Sequence, residues 1–269
     1  MEKEQRLNEF RDHLISSEKS DNTIASYCKS IELFYRFFDE FNRENVIKYK
    51  DQLSERYKPK TISLRLMGIG AYADFMGMPE CKVKTVKICN SRTVENVISM
   101  QEYHHFLNKL LEDKNYKTYY IIKFLAQTGC RASELVGLEK DCLRRGECVL
   151  YTKGKYRRIL IPRTLVKESR DYFATVDSKY LFPNKYGEKM SSRGVYAHVS
   201  HWGQKYGIKK EVLHPHSFRH FFAINFLKKN KNIALLADIL GHESIATTAI
   251  YLRLSASEQK RQFNRTVNW

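Results

Sequence analysis

Apolar residues recur at helical spacing through the first third of the chain. Ile24, Tyr27, Ile31, Phe34 and Phe38 form one stripe, with Asp21 or Asn22 placed to cap its start. Val46, Tyr49, Leu53 and Tyr57 mark a second helix. Ile62, Leu66, Ile69, Ala73 and Met76 mark a third, over about residues 61–76. No strand pattern occurs before about residue 85, so this part reads as a small all-helical unit. The texture then changes. Residues 81–92 carry Lys82, Lys84, Lys87 and Arg92 with no amphipathic face, which suits a basic linker, and a new helix begins where Ser99 and Glu102 have capping-box spacing. The expected organisation is a helical unit over 1–88, a linker over 89–95 and a second domain over 96–269.

The second domain mixes patterns. Residues 118–127 are apolar almost all round, the mark of a buried helix. Residues 147–151 and 158–161 read as two strands with Lys153-Gly154-Lys155 at the turn. Val195, Val199, Trp202 and Tyr206 mark a helix that Gly207 ends, and more helices follow from His216. The fold class expected is mainly α with a small β-hairpin, in two domains.

Charge narrows the partner. Forty-seven Lys and Arg against 30 Asp and Glu leave a net +17, which nominates a polyanion, because each neutralised phosphate releases condensed counterions. Charge alone does not separate DNA from RNA or an anionic membrane surface. No apolar run approaches the roughly 20 residues a membrane span needs, and nothing resembles a signal peptide, so a cytoplasmic, nucleoid-associated location is expected. The six cysteines form no CxxC pair and have no histidine at zinc-finger spacing; neither a disulfide nor a metal is expected.

Four segments hold the chemistry-bearing polar residues, and each has a bland reading. Thr128-Gly129 breaks the apolar helix and Arg131 opens the next, where guanidinium and free helix N–H groups suit an anion; a structural Arg131–Glu134 pair suits the spacing equally. Residues 151–158 make a basic hairpin containing Lys153, Lys155 and Arg157, whose cations are expected to be solvated or to touch phosphates. His216 and Arg219 stand at i and i+3 near a helix start and can face one ligand, with His220 expected to face elsewhere. Gly241 ends an apolar helix, Ser244 can cap the next, and Tyr251 falls near its end, where a tyrosine is ordinarily a packed side chain.

In this order, the segments resemble the catalytic domain of the tyrosine recombinases, the phage-integrase family. That family carries Arg in a TGxRxxE context, Lys in a β-hairpin, HxxR, and LGH followed nine residues later by a nucleophilic Tyr. The matches are Arg131 with Glu134, Lys153, His216 with Arg219, and Leu240-Gly241-His242 with Tyr251. Asn22-Thr23-Ile24-Ala25-Ser26-Tyr27 resembles the family's helical core-binding domain, giving the short two-domain type. The hairpin reads Thr-Lys-Gly where relatives often have Gly-Lys-Gly, and Lys155 competes with Lys153 for the lysine's role.

The resemblance implies a site-specific recombinase that cleaves and rejoins DNA through a 3′-phosphotyrosyl bond to Tyr251. Arg131, Arg219 and His242 would clamp the phosphate, His216 would act as base and Lys153 would protonate the leaving oxygen. It implies no cofactor, a homo-tetramer on double-stranded DNA with inverted-repeat sites, and a directionality or accessory factor as a further partner. Lys82, Lys84, Lys87, Lys155 and Arg157 are the DNA-binding candidates. Integration or excision of a mobile element, inversion and dimer resolution would share this site. A polar helix over residues 255–265 would dock on a neighbouring protomer. The alternatives are a type IB topoisomerase-like activity, and a non-catalytic DNA-binding regulator of the same fold.

Overall fold

The computed structural model describes residues 2–86, 94, 96–152, 155–252 and 263–267, with backbone only at Glu2, Thr152 and Lys155. They fall into two compact units, Met1–Asn90 and Ser91–Trp269.

The first unit is four helices: α1 (Glu2–Ser16), α2 (Asp21–Tyr35), α3 (Arg43–Arg56) and α4 (Pro59–Phe75). Its core is aromatic. The Phe34 and Tyr49 rings meet edge to face at 5.3 Å and those of Phe10 and Tyr72 at 5.0 Å, a geometry that brings a positive ring edge to a negative ring face. The helix α1, not anticipated, sets the thin stripe Leu7, Phe10 and Leu14 against this core while the rest of its surface is mostly polar. Ser20, not Asp21 or Asn22, caps α2, its hydroxyl accepting from the Thr23 amide. Tyr57 lies just past α3, where it is exposed, because Tyr49 and Leu53 already complete the buried stripe.

The second unit begins with α5 (Met100–Glu112). Its capping box closes in both directions, Glu102 N donating to Ser99 Oγ at 3.1 Å and Ser99 N to Glu102 Oε2 at 2.9 Å. Next, α6 (Tyr116–Thr128) is buried continuously through residues 118–126, as its all-round apolar surface requires. Short helices α7 (Ala132–Leu135) and α8 (Lys140–Arg145) lead to an antiparallel hairpin of β1 (Glu147–Thr152) and β2 (Lys155–Leu160). Beyond it come α9 (Arg163–Ala174), α10 (Ser192–Lys205), α11 (Pro215–Lys229), α12 (Ile233–Leu240) and α13 (Ile245–Ala249), ending in a 3₁₀ turn, Ile250–Leu252. In the hairpin, Cys148 and Ile159 point inward as a registered pair while Val149, Tyr151 and Tyr156 point out. Helix α11 packs across α6, setting the HxxR segment beside the Thr128-Gly129 break.

Lys153, Lys87 and most of the tail helix expected over 255–265 lie outside the described residues, as does most of the linker. Among those described, no single helix is long and apolar enough to cross a membrane.

Candidate active site

The site grows from two helix ends that one guanidinium ties together. Helix α6 ends at Gly129 (φ +63°) and α12 at Gly241 (φ +62°), both in the left-handed region that glycine enters without strain. Any Cβ at Gly129 would lie 2.5 Å from the Phe222 ring, and one at Gly241 would lie 2.7 Å from Arg157 Nε. Both turns therefore require glycine for space as well as for conformation. A helix end leaves carbonyls without partners. Arg219, only 3% exposed, answers two of them, donating to Gly129 O at 2.6 Å and Leu240 O at 2.8 Å. Burial, with the nearby Arg131, pushes its pKa down to about 10, so it remains a cation at neutral pH.

Arg157 does the same work from the other side. It donates to Asp238 O at 3.4 Å and to Ile239 O, so the last three carbonyls of α12 are shared between two arginines. Its Nε lies 3.5 Å from the buried Glu134 carboxylate. The expectation that Arg157 touches DNA is thereby corrected: its side chain is buried and engaged, as the two-residue period from inward-facing Ile159 demands. Arg131 and Glu134 form the structural pair that their spacing allows. Arg131 NH1 and N donate to the two carboxylate oxygens at 2.8 and 2.7 Å, yet the Arg131 side chain keeps 39% of its surface. Glu134 thus anchors Arg131 without hiding it.

His242 sits on the left-handed turn after α12. Arg219 NH2 lies 2.9 Å from its Nε2, and a guanidinium has only donors, so Nε2 accepts and the proton is on Nδ1, 2.7 Å from Thr248 Oγ1. Burial and the charges of Arg219 and Arg131 depress its pKa to about 4, and the ring is neutral. Ser244 caps α13 as the spacing predicts, and the 3₁₀ turn after it carries Tyr251 back against α11.

There the Tyr251 hydroxyl lies 2.8 Å from His220 Nδ1. His220 was expected to face elsewhere, which is corrected here. Four residues after His216 is about 40° round a helix, closer than the about 60° that separates His216 from Arg219, so all three share a face. Burial raises the Tyr251 phenol above its ordinary value, and Arg219 and Arg131 pull it part-way back. Arg131, His216, Arg219, His220, His242 and Tyr251 line one cleft of about 250 Å³. A larger recess of about 360 Å³, between α8 and α9, brings together Lys140, Arg144 and Arg170 with apolar side chains and none of these groups. Lys82 and Lys84 are exposed on the first unit, where Lys82 pairs with Asp74.

The profile of the phage integrase family matches residues 96–258, the segment that holds this cleft. The chain belongs to that family. Tyrosine recombinase XerA of Pyrococcus furiosus is 30% identical over 96% of this chain and 93% of its own length. Two solved structures share the fold: XerH site-specific recombinase bound to its difH substrate (TM-score 0.70, 17% identity, 89% of this chain, 78% of that one), and a lambda integrase tetramer bound to a Holliday junction (TM-score 0.74, 15% identity, 92% and 76%). This integrase-family chain is therefore an enzyme of the tyrosine recombinase class, acting in site-specific DNA recombination.

Proposed function

We propose that the chain cuts one strand of duplex DNA with Tyr251, holds the 3′ end as a phosphotyrosine and reseals it to a 5′-hydroxyl. The observation that carries this is the Tyr251 hydroxyl in one cleft with the Arg131 and Arg219 guanidiniums and three imidazoles. Attack on a phosphodiester builds negative charge on the non-bridging oxygens, and fixed cations in a partly dry cleft stabilise that charge without reorganising. Arg131, half-buried and braced by Glu134, meets one oxygen. Arg219 supplies charge from beneath, and the neutral His242 ring, its Nε2 accepting from Arg219, holds that guanidinium in place. Lys153, which the family motif matches, protonates the departing 5′ oxygen. The number of phosphoester bonds is conserved, so no nucleotide is consumed.

Lys82, Lys84, Lys87 and Lys155 contribute sequence-independent phosphate contacts, for which the +17 balance is suited. Two duplexes and four active sites are needed for a complete exchange, so the working assembly is a homo-tetramer on paired inverted-repeat sites, joined where direction matters by an accessory factor.

Covalent capture tests the reading. The protein is incubated with a diverse pool of nicked duplexes and denatured, and the attached DNA is sequenced beside a Tyr251→Phe control. An adduct made by the native chain alone and enriched for one inverted repeat is expected. Adducts without sequence preference would point to a topoisomerase-like activity, and none from a folded, DNA-binding protein would defeat the proposal.

A further inference from the structure

We propose that His220 is the proton acceptor for Tyr251, its Nδ1 taking the phenolic hydrogen as Oη attacks phosphorus. This rests on the strand-cleavage reading above and reassigns the role that the family resemblance implied for His216.

The geometry selects His220 from the histidines around the cleft. Its Nδ1 is 2.8 Å from Tyr251 Oη, within the reach a proton transfer needs, and the two rings lie 5.5 Å apart. His242 has both ring nitrogens committed, Nε2 accepting from Arg219 and Nδ1 donating to Thr248. His214 caps α11, its Nδ1 accepting from the Ser217 amide at 3.0 Å. His216 stands one turn before His220, ring centroids 6.0 Å apart, nearer the mouth of the helix.

The surroundings keep the acceptor unprotonated until it is needed. His216, His214 and Arg219 face it along α11, Arg131 from the start of α7, and His242 from the turn after α12. Burial, with His216, His214 and Arg219, holds His220 down at about 4, so at neutral pH its Nδ1 lone pair is available to the phenol. Such a ring is a weak base on its own. A scissile phosphate arriving between Arg131 and Arg219 adds negative charge where cations opposed protonation, so DNA binding strengthens the base at the moment of attack.

The step balances without a further reagent. The Oη–H proton passes to His220 Nδ1, the Oη–P bond forms and the P–O5′ bond breaks, the 5′ oxygen taking a proton from a separate donor, for which Lys153 is proposed. On resealing, each transfer reverses and His220 returns its proton to Tyr251.

The test compares His220→Asn with His220→Ala, reading single-turnover adduct formation on the nicked-duplex pool. Asn sets an amide oxygen where Nδ1 stood, keeping a hydrogen-bond acceptor that takes no proton. Both variants are expected to bind DNA normally and to slow adduct formation by about 10²–10⁴-fold, the usual range for general base catalysis. Replacing Tyr251 by difluorotyrosine, a more acidic phenol, is expected to recover at least about tenfold in His220→Asn while helping the native enzyme less. A native rate in His220→Asn would reduce His220 to an orienting group and overturn the proposal. So would a faster His220→Ala, which would make the contact a restraint, or a difluorotyrosine rescue specific to His216→Asn. If the native chain itself makes no adduct, the cleavage reading fails and takes this one with it. A His220→Ala chain that does not fold leaves the decision to His220→Asn.

Discussion

In the unit of residues 1–90 the fully buried large side chains are rings and aliphatics such as Phe10, Ile31, Phe34, Tyr49 and Tyr72, and among its described residues the buried polar ones are Ser30 and Ser63. The unit of residues 91–269 has an equally apolar core around α6 but also encloses Lys123, Glu134, Arg157 and Arg219. Removing charges from water costs several kcal/mol per ion before pairing, and apolar replacements often stabilise a fold as well or better. A unit built only to be stable has no need of three charges packed round two glycine turns. The difference separates a scaffold held by burial from a site whose charges are retained for what they do. It also shows how the second unit limits the cost: Arg157 and Arg219 donate to backbone carbonyls where α6 and α12 end.

The largest expected effects come from cutting into each region at its centre. Arg219→Ala leaves the Gly129 and Leu240 carbonyls without their donors, at about 1–3 kcal/mol each, and removes adduct formation below detection. Phe34→Ala empties a buried ring site, at about 3–5 kcal/mol. Calorimetry should show each variant lowering a different transition. A single shared transition, moved equally by both, would break the comparison.

A smaller effect sharpens it within the cation set. Arg157→Ala is expected to cost about 2 kcal/mol and slow cleavage, while leaving the salt dependence of DNA binding unchanged, because its guanidinium faces α12. Lys84→Ala, at an exposed position, should leave Tm unchanged and reduce the slope of log affinity against log salt by about 1. Salt titrations of both variants check the pair. A reduced slope in Arg157→Ala would return it to the DNA-contacting surface.

The last comparison is in pH. His198, His214, His220 and His242 all have depressed pKa values, with burial the leading cause, and all lie in the second unit. His220 and His242, held down at about 4, are neutral in the folded chain at neutral pH, whereas an unfolded histidine protonates near 6.5. The unfolded chain therefore binds more protons between about 6.5 and 4, and the stability present above that window is lost as pH falls through it. The first unit, whose one histidine is His13, should keep its Tm over the same range. Equal acid sensitivity in both transitions would contradict the assignment.

Periodicity carried most of the architecture: three of the first unit's four helices, the Ser99–Glu102 capping box, the buried α6 and the hairpin were legible because each is a local pattern. Helix α1 was not read, although Leu7, Phe10 and Leu14 stand at helical spacing, because that stripe is thin and the rest of the helix is polar apart from the exposed Ile15. The motif order marked Arg131, His216, Arg219, His242 and Tyr251, and these do meet in one cleft. Arg157 and His220 were misplaced although short-range signals existed, the alternation from Ile159 in one case and the i,i+4 step from His216 in the other.

What the sequence determined by itself was whatever depends on neighbours along the chain: element type, caps, the glycine turns, the ordered set of polar residues and the excess of positive charge. What only the tertiary structure decided was which donors answer which carbonyls, the tautomer of His242 and the histidine that Tyr251 touches. Those contacts join residues 21–90 positions apart, and their partners are chosen by how α6, α11 and α12 pack, which no local period encodes.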